Sequence, residues 1–178
     1  MNCQQDKRPR PVGRCVDTQS QRREAELYGT VDSPGDPDLK LAGLSLWALS
    51  RQFPTSDDYW DSNWLSVRAS VEAPGAFIEV SGPWLRTDAI ARFKEQLAAL
   101  DRELGGTAEL SCVEPALNVK VVCGKLGHIE VTIEITPDHM TQLHRFMFAI
   151  DQTNLTGAMA GCRRILERFP VKSTPGSR

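Results

Sequence analysis

The sequence predicts an α+β fold: a single domain with a largely antiparallel β-sheet and two helices packed on one face. Two observations support this prediction. Apolar residues recur at spacings of three and four over residues 90–104 and again over 155–169, giving each of two helices one apolar stripe. Elsewhere apolar and polar residues alternate, so each strand has one apolar face. Such elements bury their apolar surfaces most economically in the order β-β-β-α-β-β-β-β-α, with both helices on the same side.

The amino-terminal half of the predicted domain contains three strands and one helix. Residues 39–53 fit a first strand, although their apolar spacing also suits a helix. Two strands then flank Pro74-Gly75, and pairing Val71 with Ile78 keeps their apolar residues on one side. Thr87 is placed to cap the helix that follows.

The carboxyl-terminal half contains four strands and the second helix. The strands centre on residues 110–112, 117–123, 129–135 and 146–150, and the helix starts near Thr153. A strand–strand–helix unit over residues 64–104 recurs over 128–169, with the two apolar helix stripes offset by 65 residues. The constant offset indicates a weak internal repeat.

Cys123 and His128 bracket a turn, and a contacting Cys–His pair could act as nucleophile and base. Pairing Val121 with Ile129 keeps the apolar residues of both strands on one side. It also makes residues 124–126 a three-residue loop followed by a bulge. In this register Cys123 faces the core and His128 faces water, which excludes the dyad.

Other reactive residue types also fail to form a recognisable site. The chain has no phosphate-binding loop, dinucleotide fingerprint, GxSxG or HExxH motif. His139 and His144 are five residues apart, a spacing that suits neither one strand face nor one helix face. The acidic stretch 57–61 lacks the ligand spacing and glycine of a calcium loop. We therefore predict a protein that is not an enzyme and has no catalytic residues, metal ion or cofactor.

Composition limits the classes of partner. The formal net charge of −2 and the isoelectric point of about 5.9 argue against a nucleic-acid partner. No stretch has the apolar length of a membrane span, and the first residues lack the apolar segment of a secretory signal. The five cysteines are odd in number and widely spaced, which fits a reducing cytoplasm better than a disulfide framework. The oligomeric state does not follow from the sequence.

The two ends differ from the rest of the chain. Residues 1–38 are rich in Pro, Gln and Arg and lack apolar periodicity, which predicts a disordered arm, with residues 39–170 forming the domain. A basic nucleic-acid arm is the alternative, although acidic residues offset its arginines. Residues 171–178 are predicted to be a flexible tail.

The stretch 57–64 is the candidate partner-binding site, because it combines aromatic residues with carboxylates at a loop edge. Tyr59 and Trp60 would be the anchors, unless they fold back to cover the open edge of the core. The polar face of the sheet carries five acidic and two basic residues, and is either an acidic docking surface or an ordinary solvated face. The predicted site residues are Asp57, Asp58, Tyr59, Trp60, Asp61, Trp64, Glu72, Glu79, Glu130 and Glu134.

Four short segments have a distinctive order and spacing: Asp58-Tyr59-Trp60-Asp61-Ser62-Asn63-Trp64-Leu65, Trp84-Leu85-Arg86-Thr87-Asp88, Gly127-His128-Ile129-Glu130-Val131 and Asp151-Gln152-Thr153-Asn154-Leu155. Together, over residues 55–170, they resemble the bacterial WapI-type immunity proteins. The resemblance implies a cytoplasmic antidote that binds and blocks a contact-delivered toxin domain, typically an RNase acting on tRNA. The cognate toxin domain would then be the partner, and no site residues can be transferred from the family.

Overall fold

Eight strands form two antiparallel four-stranded sheets in the computed structural model, which describes residues 35–124 and 128–172. Sheet 1 contains strands β1–β4 and sheet 2 contains β5–β8, each in sequence order. The elements of the first half are β1 Leu39–Leu41, β2 Leu44–Arg51, α1 Tyr59–Ser62, β3 Trp64–Ala73, β4 Ala76–Arg86 and α2 Thr87–Glu103. Those of the second half are β5 Gly106–Ser111, β6 Leu117–Cys123, β7 Ile129–Ile135, β8 His144–Ile150 and α3 Thr153–Arg168. Apart from α1, the described residues form two successive β-β-β-β-α units.

The predicted α+β class and antiparallel pairing are confirmed, while the structure divides the strands between two sheets. Residues 39–53 form neither one strand nor a helix but the β1–β2 hairpin, in which Leu41 pairs with Leu44. The spacing of Leu44, Trp47 and Ala48 that also suited a helix lies within β2, where Leu44 and Ala48 are buried on one face and Trp47 lies on the other. A Cβ at Gly43 would collide with the carbonyl oxygen of Glu72 and with the ring of Phe148, so only glycine fits the β1–β2 turn.

Strand register was predicted correctly for one hairpin and wrongly for another. Val71 pairs with Ile78, as predicted. Val121 pairs with Val131 rather than Ile129, a shift of two residues, and the backbone N–H of Gly124 closes the longer loop by donating to the His128 carbonyl at 2.8 Å. Alternation fixes which face a residue occupies but allows shifts by two. The conclusion drawn from the register is therefore confirmed, because Cys123 is buried and His128 is exposed.

The two long helices, α2 and α3, each contact the first strand of the other β-β-β-β-α unit. Helix α2 packs on β5, where the Gln96 side-chain oxygen accepts from the backbone N–H of Glu109 at 2.9 Å. Helix α3 packs on β1 so closely that a Cβ at Gly161 would lie 2.7 Å from the Asp38 carbonyl oxygen and 2.8 Å from the Leu39 Cα. The helices also contact each other, and the buried residues of both units form one hydrophobic cluster.

The predicted arm and tail lie mostly outside the described residues. Of the arm, residues 35–38 are described, and the Asp38 carboxylate accepts from the Ala48 backbone N–H at 2.8 Å and from Arg168 at 2.7 Å. Of the tail, Val171 and Lys172 are described, and Lys172 is hydrogen-bonded to the domain. None of the helices in the described part of the chain is long and apolar enough to cross a membrane.

Candidate functional site

The acidic loop before β3 is organised by its own side chains. Asp58 is the N-cap of α1, and its carboxylate accepts from the backbone N–H groups of Trp60 at 2.7 Å and Asp61 at 3.1 Å. The side chains of Asp57 and Asp61 remain in solvent. The four-residue helix is thus fixed by one carboxylate, while the other two lie in solvent.

Three aromatic rings surround one buried cation beside this helix. The Arg86 side chain, at the end of β4, is 5% exposed, and its guanidinium carbon lies 4.2 Å from the Trp60 ring centroid. The corresponding distances to the Tyr59 and Trp64 rings are 5.4 and 5.9 Å. The Arg86 Nε also donates to Asp88 at 2.9 Å, which neutralises the buried charge. The cluster therefore holds Trp60 by cation–π contact rather than by burial.

Trp60 is the exposed member of the cluster. It is 64% exposed, whereas Tyr59 and Trp64 are half-buried. The Tyr59 and Trp60 rings meet edge to face, with centroids 5.7 Å apart. Trp60 is thus mostly in solvent, whereas Tyr59 is partly covered, and the exposure of Trp60 favours the anchor over the alternative in which both rings cover the edge of the core.

The buried side chain of Asn63 connects the loop to the rest of the domain by hydrogen bonds. It is completely buried, and its amide donates to the Tyr59 carbonyl at 2.8 Å and accepts from the Thr87 hydroxyl at 2.6 Å. The same amide donates to the Lys172 carbonyl at 3.0 Å and accepts from the Lys172 backbone N–H at 2.9 Å. Arg51 adds hydrogen bonds to the carbonyls of Ser62 and Pro170. The loop is thereby tied both to the start of α2 and to the segment after α3.

Thr87, predicted as the cap of α2, is the first residue of that helix and bonds to Asn63 instead. Sequence reasoning also missed Arg86, Asp88 and Asn63 as parts of the site. Strand pairing alone would not have found Arg86, because the Val71–Ile78 register continued without a bulge pairs Trp64 with Leu85.

The four predicted glutamates do not lie on one sheet face. Glu72 and Glu79 belong to sheet 1, whereas Glu130 and Glu134 belong to sheet 2. Glu79 pairs with Arg68 at 2.6 Å, and Glu134 accepts from the Arg145 Nε at 2.9 Å. These ion pairs partly neutralise the predicted acidic surface.

The reactive side chains of the described residues do not form a recognisable catalytic arrangement. Burial raises the pKa of the Cys112 and Cys162 thiols to about 12, so neither is a thiolate at neutral pH. In residues 35–124 and 128–172, no group of three His, Cys, Asp or Glu side chains is arranged to hold a metal ion. A groove of about 310 Å³ is lined by Glu79, Glu114 and His139, but Glu79 is engaged by Arg68.

The fold is α+β, and the candidate site presents an exposed indole ring, that of Trp60, surrounded by carboxylates. Comparison with protein families gives a match over residues 38–170 to a family described as the immunity protein WapI-like family. The chain belongs to this family, which confirms the resemblance seen in the sequence and extends it to include β1 and β2. Membership indicates an immunity function and a non-enzymatic role. No curated protein and no solved structure matches the chain.

Proposed function

We propose that this chain is a cytoplasmic immunity protein that binds and neutralises a contact-delivered RNase-type toxin domain through the loop at residues 57–64. The observation that supports this most directly is the placement of Trp60, an indole 64% exposed and held on Arg86. A few residues supply most of the free energy of a protein–protein interface, and tryptophan is common among them when its ring enters a pocket of the partner. An anchor that is already fixed loses less conformational entropy on binding.

The negative charges of the loop also support it as the surface that binds the toxin domain. Asp57 and Asp61 extend into solvent beside Trp60, and Asp58 adds a third carboxylate at the cap of α1. A toxin that binds RNA needs basic residues around its active site, because its substrate is a polyanion. A carboxylate-rich loop is complementary to such a site and would block access of RNA to it.

The direct test is to look beside the gene for this chain for one that encodes a large secreted protein, and to express the C-terminal domain of that protein as the candidate toxin. The wild-type protein should bind that domain in isothermal titration calorimetry and restore growth to cells that express the domain. A neighbouring domain that is toxic but neither binds the protein nor loses toxicity in its presence would refute the proposed function.

Replacing Trp60 with alanine should weaken this binding by about 2 kcal/mol, because an anchor would be removed from the centre of the interface. The melting temperature should fall by only about 2–4 °C, since the side chain is mostly exposed and a partly exposed cation–π contact contributes about 1 kcal/mol. Phe77→Ala is the matched control: Phe77 is 61% exposed on sheet 1, and its loss should leave the affinity unchanged. Equal affinity of wild type and Trp60→Ala would place the interface elsewhere.

Replacing Asp57 and Asp61 together by asparagine should slow association severalfold at low salt and flatten its salt dependence, because the carboxylates would steer a basic partner. Asp58 is left unchanged because it caps α1. The dissociation rate should change little. Stopped-flow measurements at several salt concentrations test this, and an unchanged salt dependence would exclude a steering role for the two carboxylates.

A further inference from the structure

We propose that the same toxin domain also docks on a second surface, where a basic loop with an apolar tip would bind; this inference rests on the proposed function. The surface is formed by Val113, Glu114, Asp138, Met140 and Leu143, and is called here the 113/143 surface. It belongs to the β5–β6 turn and the β7–β8 loop, and none of its residues was predicted as a site from the sequence.

Three large apolar side chains lie in solvent on these two connections. Val113 is 71% exposed, Met140 is 79% exposed and Leu143 is 72% exposed. Val113 and Leu143 line the same groove, which has a volume of about 290 Å³. The two connections are joined by a hydrogen bond from the Thr136 backbone N–H to the Ala116 carbonyl at 3.0 Å. Val113 and Leu143 are thus exposed apolar residues at one groove, and Met140 lies on the same loop as Leu143; grouped apolar exposure marks interaction sites, whereas scattered single residues do not.

The β7–β8 loop is held by polar bonds and not by burial of its apolar residues. The Asp138 carboxylate accepts from the Met140 backbone N–H at 3.0 Å and from the Thr141 hydroxyl at 2.6 Å. The Asp138 carbonyl accepts from the backbone N–H of Gln142 at 2.8 Å. This turn keeps Met140 outward before any partner arrives, which lowers the entropic cost of binding.

The charge of the surface favours a basic occupant. Glu114 and Asp138 are both exposed, and neither forms an ion pair within the described ranges of the chain. Hydrogen bonds from Thr141 and Met140 lower the pKa of the Asp138 carboxyl, so it remains ionised at neutral pH. A partner loop that brings Lys or Arg beside an apolar side chain would satisfy both features of the surface.

The surface also adjoins the Trp60 cluster through helix α2. Val113 lines a second groove together with Ala89 in the first turn of α2. The neighbouring residue Asp88 accepts from Arg86, and the Tyr59 hydroxyl lies 3.4 Å from it. Val113 therefore lies beside the first turn of the helix that also carries Asp88, and both surfaces carry the same sign of charge, which suits contact with a single basic partner.

The test measures the affinity of full-length variants for the neighbouring toxin domain defined above. The Val113→Ser/Leu143→Ser double variant should raise the dissociation constant about tenfold or more, as loss of a buried apolar anchor does. Both side chains are exposed, so the melting temperature should not change. The matched control is Phe77→Ser/Met147→Ser, since Phe77 and Met147 are 61% and 65% exposed elsewhere on the two sheets. That control should leave the dissociation constant unchanged.

Glu114→Lys should weaken binding on its own and reduce the salt dependence of the affinity.

The outcomes separate this inference from the proposed function. If Trp60→Ala weakens binding but Val113→Ser/Leu143→Ser does not, the 113/143 surface is refuted and the proposed function stands. If wild type does not bind the toxin domain at all, both fail. Sedimentation velocity of the protein alone should show the same species for wild type and double variant. A dimer that only the double variant abolishes would assign the surface to self-association and overturn the inference.

Discussion

Replacing Asn63 with alanine should lower the free energy of unfolding by about 3 kcal/mol. The side chain is completely buried and makes four hydrogen bonds, to the Tyr59 carbonyl, the Thr87 hydroxyl and both backbone groups of Lys172. Alanine leaves these partners unsatisfied, and each buried polar group without a partner costs about 1–3 kcal/mol. Local rearrangement and water entry recover part of that cost, which is why the expected total is below the sum.

Thermal unfolding followed by circular dichroism measures this effect. At roughly 2–4 °C for each kcal/mol in a chain of this size, the melting temperature should fall by roughly 6–12 °C. Asn118→Ala is the matched control, because Asn118 is an exposed strand residue and its replacement should shift the melting temperature by little. Equal melting temperatures for the two variants would show that the Asn63 bonds do not stabilise the domain.

Gly161→Ala should destabilise the protein by about 2–3 kcal/mol, although alanine normally favours a helix. Its Cβ would lie 2.7 Å from the Asp38 carbonyl oxygen and 2.8 Å from the Leu39 Cα. Both are backbone atoms, so relief requires α3 and β1 to move apart, and the buried contacts between them would loosen.

Gly157→Ala is the control one turn earlier in the same helix, where a Cβ meets nothing within 4 Å. There the substitution should stabilise by about 0.5–1 kcal/mol through helix propensity alone. Urea unfolding of both variants therefore tests for opposite signs. Stabilisation by Gly161→Ala would show that α3 does not approach β1 as closely as described.

The features predictable from sequence are those that depend on periodicity. Alternation and the helix stripes identified the buried faces, and the Val71–Ile78 pairing followed from keeping apolar residues together. The β6–β7 register was missed because a shift by two residues preserves the same faces. The division into two sheets was missed because alternation does not specify which strands remain unpaired at an edge.

The candidate site was predictable only in part. Aromatic and acidic composition identified the loop, and the structure places Trp60 in solvent. The environment of Arg86 depends on a bulge between Leu65 and Val67, which moves Arg86 opposite Trp64. Pro83 in β4, which lacks a backbone N–H, was the only local sign of irregular pairing. The bonds from Asn63 to Lys172 connect positions far apart in sequence, and no local pattern encodes them.

Each of the two long helices packs on the first strand of the other unit, and this arrangement affects how the protein folds during synthesis. Strand β1 is covered by α3, which is synthesised after all the strands of both sheets. Translation proceeds at about 5–20 residues per second, so the first sheet waits for several seconds with Leu39 and Leu41 uncovered. Lys172, which secures the loop through Asn63, is made later still. We therefore expect the native fold to form only once Lys172 has left the ribosome, so that nascent chains ending before this residue lack the closed domain.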